Sequence, residues 1–305
     1  MRSGGLARRA TVMKMMRKKE MPLLLVDTGG VLPARGRDMR LRADVSFKGM
    51  KLIGYDAVNL GTSDFYFGSD YLKDMASMLS IPFVSTNLVS ETENNLWYKQ
   101  YIIKELEGIK VGILGLISPK SFEALPNRDK ITGLRAVPPE SVLKKTITQL
   151  RNKVDSVLLL SQLSLEETAT LIHEISGIDI AIVSSTSCED FPFAGTGRRP
   201  LMLCVKPKGE TLGSLEIKIP HDRRFNVLNQ AQIELNDSVS LDPEINDLIT
   251  NSYRERKREA NMKKQEVLHQ KLLDDLKSSP EEFFKSQKNN PSRRSRSMTI
   301  PIPCQ

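Results

Sequence analysis

The chain has 305 residues, 39% of them hydrophobic, and a formal net charge of +8. That length accommodates one large domain plus an extension, or two small domains. No apolar run approaches the roughly 18 residues of a bilayer-spanning helix, and Met1-Arg-Ser-Gly-Gly leads into a basic amphipathic pattern instead of a signal-peptide core.

Leu6, Ala10, Val12, Met13 and Met16 recur at helical spacing, which predicts a helix over residues 5–19. Leu23 to Val26 is a short apolar run that opens into Asp-Thr-Gly-Gly, the pattern of a buried parallel strand entering a tight loop. The alternation then repeats. A helix around 44–54 precedes a strand at Ala57–Leu60, and a helix around 69–79 precedes one at Phe83–Ser85. Strands follow at Tyr101–Leu106 and Val111–Ile117. Helix 139–152, with Pro138, Pro139 and Glu140 suited to its first turn, leads to strand Ser156–Ser161. Helix 165–175 leads to strand Ile178–Ser184. Strand and helix in this order imply βαβ units and a mainly parallel sheet.

From about residue 199 the rhythm changes. Pro200–Pro207, Thr211–Pro220 and Phe225–Glu234 read as a strand meander joined by turns at Lys208-Gly209 and His221-Asp222. Asp242-Pro243-Glu244 is a helix start: an N-cap, a first-turn proline and an acidic residue. The long charged helix it opens runs over 241–277, and its polar, Ser-, Asn- and Arg-rich continuation, 278–305, predicts disorder.

Four stretches carry a resemblance. Gly4-Gly-Leu-Ala-Arg-Arg-Ala-Thr11 is similar to a helix entry, and Leu23-Leu-Leu-Val-Asp-Thr-Gly-Gly30 to an "LLLDAGD" strand end. Gly54 to Phe65 resembles "GYDAxxLGNHEF", and Gly177 to Ser187 resembles "GIDVIIGGHSH". In this order, over roughly residues 4–250, they resemble the 5′-nucleotidase branch of the calcineurin-like metallophosphoesterases. The resemblance implies an α/β fold, a two-sheet sandwich flanked by helices with a long C-terminal helix following. The domain covers 1–240. The family's first motif, Asp-x-His, would precede Gly4, where three residues remain. The resemblance therefore implies an amino-terminal truncation that removes the first strand. A nucleotidase-like subgroup with a cysteine or selenocysteine motif ahead of "GGLARRA" suggests how: a selenocysteine codon read as a stop moves the start to Met1.

The family uses two divalent metal ions, held by Asp, His and Asn at the strand ends, to activate water against a phosphate ester. Here the bridging aspartate falls on Gly30, the asparagine ligand on Thr62 and the catalytic histidine on Ser63, while Asp64 keeps a carboxylate. The strand-end "SH" becomes Ser161-Gln162, and the last motif becomes Ser184-Ser185-Thr186-Ser187. Neutral hydroxyls and amides are poor ligands for hard divalent ions. The expectation is a degenerate site with no catalytic residue, no metal and no cofactor. Its inherited cleft is lined by Asp27, Thr28, Gly29, Gly30, Thr62, Ser63, Asp64, Gln162, Ser185 and Ser187. A small anion or nucleotide-like ligand suits such a cleft. The alternatives are a metal-dependent phosphoester hydrolase remodelled around Asp27 and Asp64, and an interaction protein acting through helix 242–277.

Weaker signals point to structure. Cys188, Cys204 and Cys304 are isolated and match no zinc spacing, so Cys188 and Cys204 read as buried free thiols. His173 reads as a surface or core-edge residue, Gly195-Thr-Gly-Arg-Arg199 as a turn and Ser118-Pro119-Lys120 as a loop. Trp97, Tyr98 and Tyr101 read as packing. The basic excess lies mainly at the two ends without interleaved aromatics, so no nucleic-acid partner is expected. A truncated start implies an exported, periplasmic protein, and a complete chain a cytoplasmic one.

Overall fold

The computed structural model describes residues 4–32, 36–90, 96–185, 188, 200–207, 209–219 and 226–278. The chain divides into two units, Met1–Thr250 and Asn251–Gln305.

Two largely parallel sheets form the first unit. Strands β1 (Val26–Asp27), β2 (Ala57–Asn59) and β3 (Phe83–Val84) pair in that order, all parallel. A five-stranded sheet holds β5 (Tyr101–Leu106), β6 (Ile109–Leu116), β8 (Ser156–Ser161), β9 (Ile180–Ser184) and β10 (Leu201–Val205). Its order is β10-β9-β8-β6-β5, and only the β5–β6 pair is antiparallel. Two small sheets complete the set. One is the antiparallel pair β4 (Leu88–Ser90) and β7 (Leu134–Ala136); the other is the hairpin β11 (Thr211–Lys218) and β12 (Asn226–Glu234).

Side-chain alternation along the strands assigns the layers. Ala57 and Val84 of the first sheet share one buried cluster with Ile113, Leu158, Leu160, Ile180, Leu201 and Leu203 of the second, so the sheets face each other. Leu114, Val157, Leu159 and Ala181 point the opposite way. There they meet Leu143, Ile147 and Leu150 of α5 (Pro139–Arg151) and Leu171 and Ile172 of α6 (Leu165–Glu174). Helices α1 (Leu6–Arg17), α2 (Met39–Ile53) and α3 (Gly68–Leu79) cover the outer face of the first sheet through Ala10, Met13, Phe47, Met50 and Leu72. The result is a four-layer sandwich, helices outside and sheets inside. A side chain at Gly115 of β6 would run into Asn59 Oδ1 and Val84 O, so glycine there lets the two sheets approach closely.

The helices start where their sequences say they should. Ser164 and Glu167 form a reciprocal capping box at α6 (3.1 and 2.9 Å), and Pro139 occupies the first turn of α5. Asp242 caps α7 (Pro243–Ser278), accepting the Ile245 N–H at 3.1 Å. The segment before that cap straps onto α1. Gly4 N–H donates to Leu235 O (2.6 Å), Asp242 N–H to Ala7 O (3.1 Å) and Thr11 Oγ1 to Ser240 O (2.8 Å), while Lys14 pairs with Asp242 at 2.7 Å.

Three expectations need correction. β10 is a parallel member of the main sheet and not the first strand of a meander; only β11 and β12 form a hairpin. Cys188 and Cys204 are disulfide-bonded and not free thiols, with Cα atoms 5.7 Å apart. The reason is topological: β9 and β10 lie side by side, so the chain just past β9 comes back against β10. Ser118-Pro119-Lys120 is a helix start and not a plain loop, with Ser118 capping the short α4 (Pro119–Glu123). Smaller shifts are the start of α2 at Met39 and the contraction of the first strand to Val26–Asp27. Trp97 and Tyr98 pack as expected, edge-on to Phe83 and to each other, and His173 is exposed. Gly195-Thr-Gly-Arg-Arg199 and the tail beyond 278 lie outside the described residues.

Candidate functional site

The parallel strands of both sheets end on the same side, the usual ligand-binding edge of an open α/β sheet. Three loops meet there, following β1 (Thr28 to Leu32), β2 (Leu60 to Asp64) and β8 (Gln162), and Ser185 follows β9 at the same edge of its sheet.

The first two loops are pressed together. A Cβ at Gly29 would stand 2.5 Å from Asn59 O and 2.7 Å from Gly61 N, and one at Gly61 would collide with Gly30 N. Gly29 also sits at φ 89°, a left-handed conformation that side chains disfavour. Asp64 locks this contact. It lies at the third position of the 3₁₀ turn Thr62–Phe67 and is fully buried. Its Oδ2 accepts the N–H groups of Gly30 (2.9 Å) and Gly61 (2.8 Å), and its Oδ1 those of Val31 (2.8 Å) and Leu32 (3.2 Å). Burial pushes the Asp64 carboxyl up to about 6, against the opposing pull of these donors.

Asp27 faces another set of partners. Its Oδ1 accepts Gly29 N–H at 2.9 Å, and its Oδ2 is 3.6 Å from Arg9 Nη1, which also donates to Tyr55 Oη at 2.7 Å. Burial raises the Asp27 carboxyl, and the Arg9 guanidinium opposes it.

Gln162 crosses from the five-stranded sheet to the three-stranded one. Its Nε2 donates to Thr28 O (2.9 Å) and Gly29 O (3.0 Å). Asn59, fully buried, makes a second crossing, from Nδ2 to Thr28 O (3.0 Å) and Leu116 O (2.9 Å). Gly30 is different from Gly29 and Gly61. A Cβ there would have Gln162 Nε2 and Ser63 Oγ at 3.6 Å and Gln162 Oε1 at 3.7 Å, ordinary contact distances. A Cβ therefore fits over Gly30 without a clash, between Ser63 and Gln162.

The structure thus brings Thr28, Gly29, Gly30, Ser63, Asp64 and Gln162 together, with Thr62 beside Ser63 in the same turn and Asp27 turned toward Arg9. Ser185 directly follows β9, its N–H donating to Val205 O at 3.3 Å. Ser187 lies outside the described residues. Asn59, Arg9 and Tyr55 belong to the site without standing in the sequence-derived set. For Asn59 a signal existed: a lone amide inside the apolar run Ala57-Val-Asn-Leu60 must find partners when buried.

No family profile matches the chain. Individual proteins do. A protein named probable 5′-nucleotidase from Treponema pallidum is 30% identical over 152 residues, 48% of this chain and 25% of that protein. Protein UshA of Yersinia enterocolitica is 25% identical over 151 residues, 48% of this chain and 27% of that one. Among solved structures, a 5′-nucleotidase precursor from Thermus thermophilus matches with a TM-score of 0.69 at 19% identity, covering 84% of this chain and 54% of that one. The calcineurin-like phosphoesterase YfkN of Bacillus subtilis matches with a TM-score of 0.65 at 19% identity, covering 84% and 90%. The fold is therefore that of the calcineurin-like phosphoesterases. Within that fold, its sequence is similar to 5′-nucleotidases and UshA proteins at 25–30% identity over about half of this chain. It spans about a quarter of the length of the two curated relatives.

Members of the class imply a pair of divalent ions at these strand ends, and the donor set can be compared with that need. Such ions take carboxylates and imidazoles. Among the described residues, no group of three or more His, Cys, Asp or Glu converges. Asp64 already accepts four N–H groups, and Asp27 is engaged by Gly29 and Arg9. The other side chains around Gly30 are a hydroxyl and an amide, those of Ser63 and Gln162. These residues do not fit a dinuclear centre.

Proposed function

We propose that this chain is a non-catalytic relative of the 5′-nucleotidases, in which the strand-end cleft serves binding, scaffolding or a redox-associated role and a nucleotide-like ligand replaces a substrate. One observation carries this reading: the remaining carboxylate of the "GNHE"-like turn, Asp64, is consumed by main-chain N–H groups. It has no lone pair directed at a metal, and among the described residues no imidazole stands beside it to act as a general acid. Elemental analysis of the purified protein, with a generic phosphate ester assayed in manganese or zinc, tests it. Metal-free protein without turnover is the expected result. Stoichiometric metal with metal-dependent turnover would sink the reading in favour of a hydrolase remodelled around Asp27 and Asp64.

The disulfide supports an exported, periplasmic setting, because such bonds persist in oxidising compartments. A second reading draws on the helix. Val267 and Leu268 are 69% and 55% exposed on an otherwise charged segment, which suits contact with a protein partner. Charged substitutions at both positions, followed by co-purification, test that reading. An unchanged set of bound proteins would refute it.

A further inference from the structure

The outer helices carry a surface remote from the strand-end cleft. Strands β1, β2 and β3 are parallel, so the helix before each of them ends at one common edge, where the strands begin. That edge lies opposite Asp64 and Gln162, which stand where strands end. Helices α1, α2 and α3 touch in sequence order and stop there at Arg17, Ile53 and Leu79. A left-handed residue follows each stop, Glu20 at φ 55°, Gly54 at 78° and Ser80 at 52°. Arg17 Nη2 donates to Gly54 O at 3.0 Å and ties the first two helix ends together.

Two kinds of side chain project from this edge. Lys18 and Lys19 follow α1, and Lys48 and Lys51 stand on the last turns of α2; all four are exposed, and none has an ion-pair partner among the described residues. Beside them each helix exposes a large apolar side chain, Met15 (61%), Leu52 (48%) and Met78 (67%). The exposed acids here are Glu20 and Asp74, while Asp56 is held by Lys104 at 3.1 Å. Lysine is depleted from protein–protein interfaces, so four of them at one edge do not suit a protein partner. Single-stranded nucleic acid calls for stacking aromatics, and this edge exposes none among the described residues. Lysines interspersed with flexible apolar side chains match an anionic bilayer, where ammonium groups meet lipid phosphates and apolar side chains enter the acyl boundary. We propose that the shared end of α1, α2 and α3 is a peripheral docking surface for an anionic phospholipid bilayer. Docked by this edge, the chain holds the strand-end cleft away from the lipid and open to solvent.

Sedimentation of the full chain with lipid vesicles tests this. Vesicles of phosphatidylglycerol and phosphatidylcholine in equal parts should carry the protein down, and vesicles of phosphatidylcholine alone should not. Added salt should release it, because the charges are screened. Changing Lys18, Lys19, Lys48 and Lys51 to Gln should weaken binding about fivefold for each lysine. Leu52→Ser combined with Met78→Ser keeps the charge and should weaken binding about tenfold through lost apolar insertion. All six side chains are exposed, so both variants should keep the wild-type melting temperature. The sequence carries a second basic segment near its end, for which Arg293→Gln, Arg294→Gln and Arg296→Gln together serve as the control; that variant should bind as the wild type does. No binding to the anionic vesicles would overturn the proposal. So would full binding by the lysine variant, or loss of binding in the control variant alone. Undiminished binding by the Leu52 and Met78 variant would also overturn it, reducing the surface to a general contact for polyanions.

Discussion

Gln162, at the end of one sheet, donates its side-chain amide at 2.9 Å to the main-chain carbonyl of Thr28, at the end of the other. The same nitrogen reaches Gly29 O, and Asn59 reaches Thr28 O from below, so two amides tie together strand ends where the family implies metal ions. Changing Gln162 to Glu replaces a donor with an acceptor facing two carbonyl oxygens. That variant should lose about 1–3 kcal/mol of stability, with Gln162→Ala losing less, as read from urea unfolding midpoints. Equal stability of Glu and Gln at this position would show that the crossing contributes nothing.

Asp64 should be more sensitive still. In Asp64→Asn the new NH₂ group faces two N–H donors, one of them buried, that lose their acceptor, a cost of about 2–4 kcal/mol. The wild-type carboxyl also sets a pH slope. Its folded value, about 6, lies above the ordinary carboxylate value of 3.8. The neutral form is therefore favoured by folding: the contribution is full below about pH 4 and is lost as pH rises through 6, up to about 3 kcal/mol. Unfolding free energies between pH 4 and 7 should fall with rising pH in the wild type, and this component should vanish in Asp64→Asn.

The three glycines of the pressed loops should separate sharply. Gly61→Ala would drive a methyl group into Gly30 N, and Gly29→Ala one into Asn59 O, so neither should give a stable fold. Gly30→Asp sets its Cβ at ordinary contact distance from Ser63 and Gln162 and meets the left-handed backbone at φ 75°, a cost of about 1–2 kcal/mol that aspartate tolerates better than most residues. Soluble, folded Gly30→Asp beside insoluble Gly61→Ala is the expected pattern in expression and circular dichroism.

Reduction should weaken the fold. The Cys188–Cys204 bond closes a loop across a sequence separation of 16, and cross-links of that span contribute about 3 kcal/mol. Melting curves with and without dithiothreitol check this, and Cys188→Ser should behave like the reduced protein in both conditions. A melting temperature indifferent to reductant would remove the disulfide from any account of stability.

Much of this architecture is written in local patterns. β5 and β8 carry the boundaries that apolar periodicity predicts, and α5 and α6 begin where their caps stand. β4 and β7 are three-residue strands, too short for any alternation to register. Local pattern alone misassigns β10, because Leu201 to Val205 alternates identically whichever neighbour it pairs with. The disulfide depends on a return of the chain after β9 that no local spacing encodes. At the site, the substitutions at Gly30, Thr62 and Ser63 are legible one by one. The use Asp64 makes of its carboxylate is not, since main-chain donors leave no mark in the sequence.

The strap across α1 has a consequence for the order of folding. Lys14 and Glu244 meet across a separation of 230 residues, and Ile245 completes the apolar cluster that receives Ala7, Ala10 and Met13. During synthesis the first helix emerges early, yet its final neighbours arrive only when nearly the whole of the first unit has left the ribosome. Until then its oily side is covered only in part, by α2, and closure of the domain waits on one of its longest-range encounters. A nascent chain halted short of residue 245 should therefore be a client for chaperones and proteases, while one released just beyond it should be able to close.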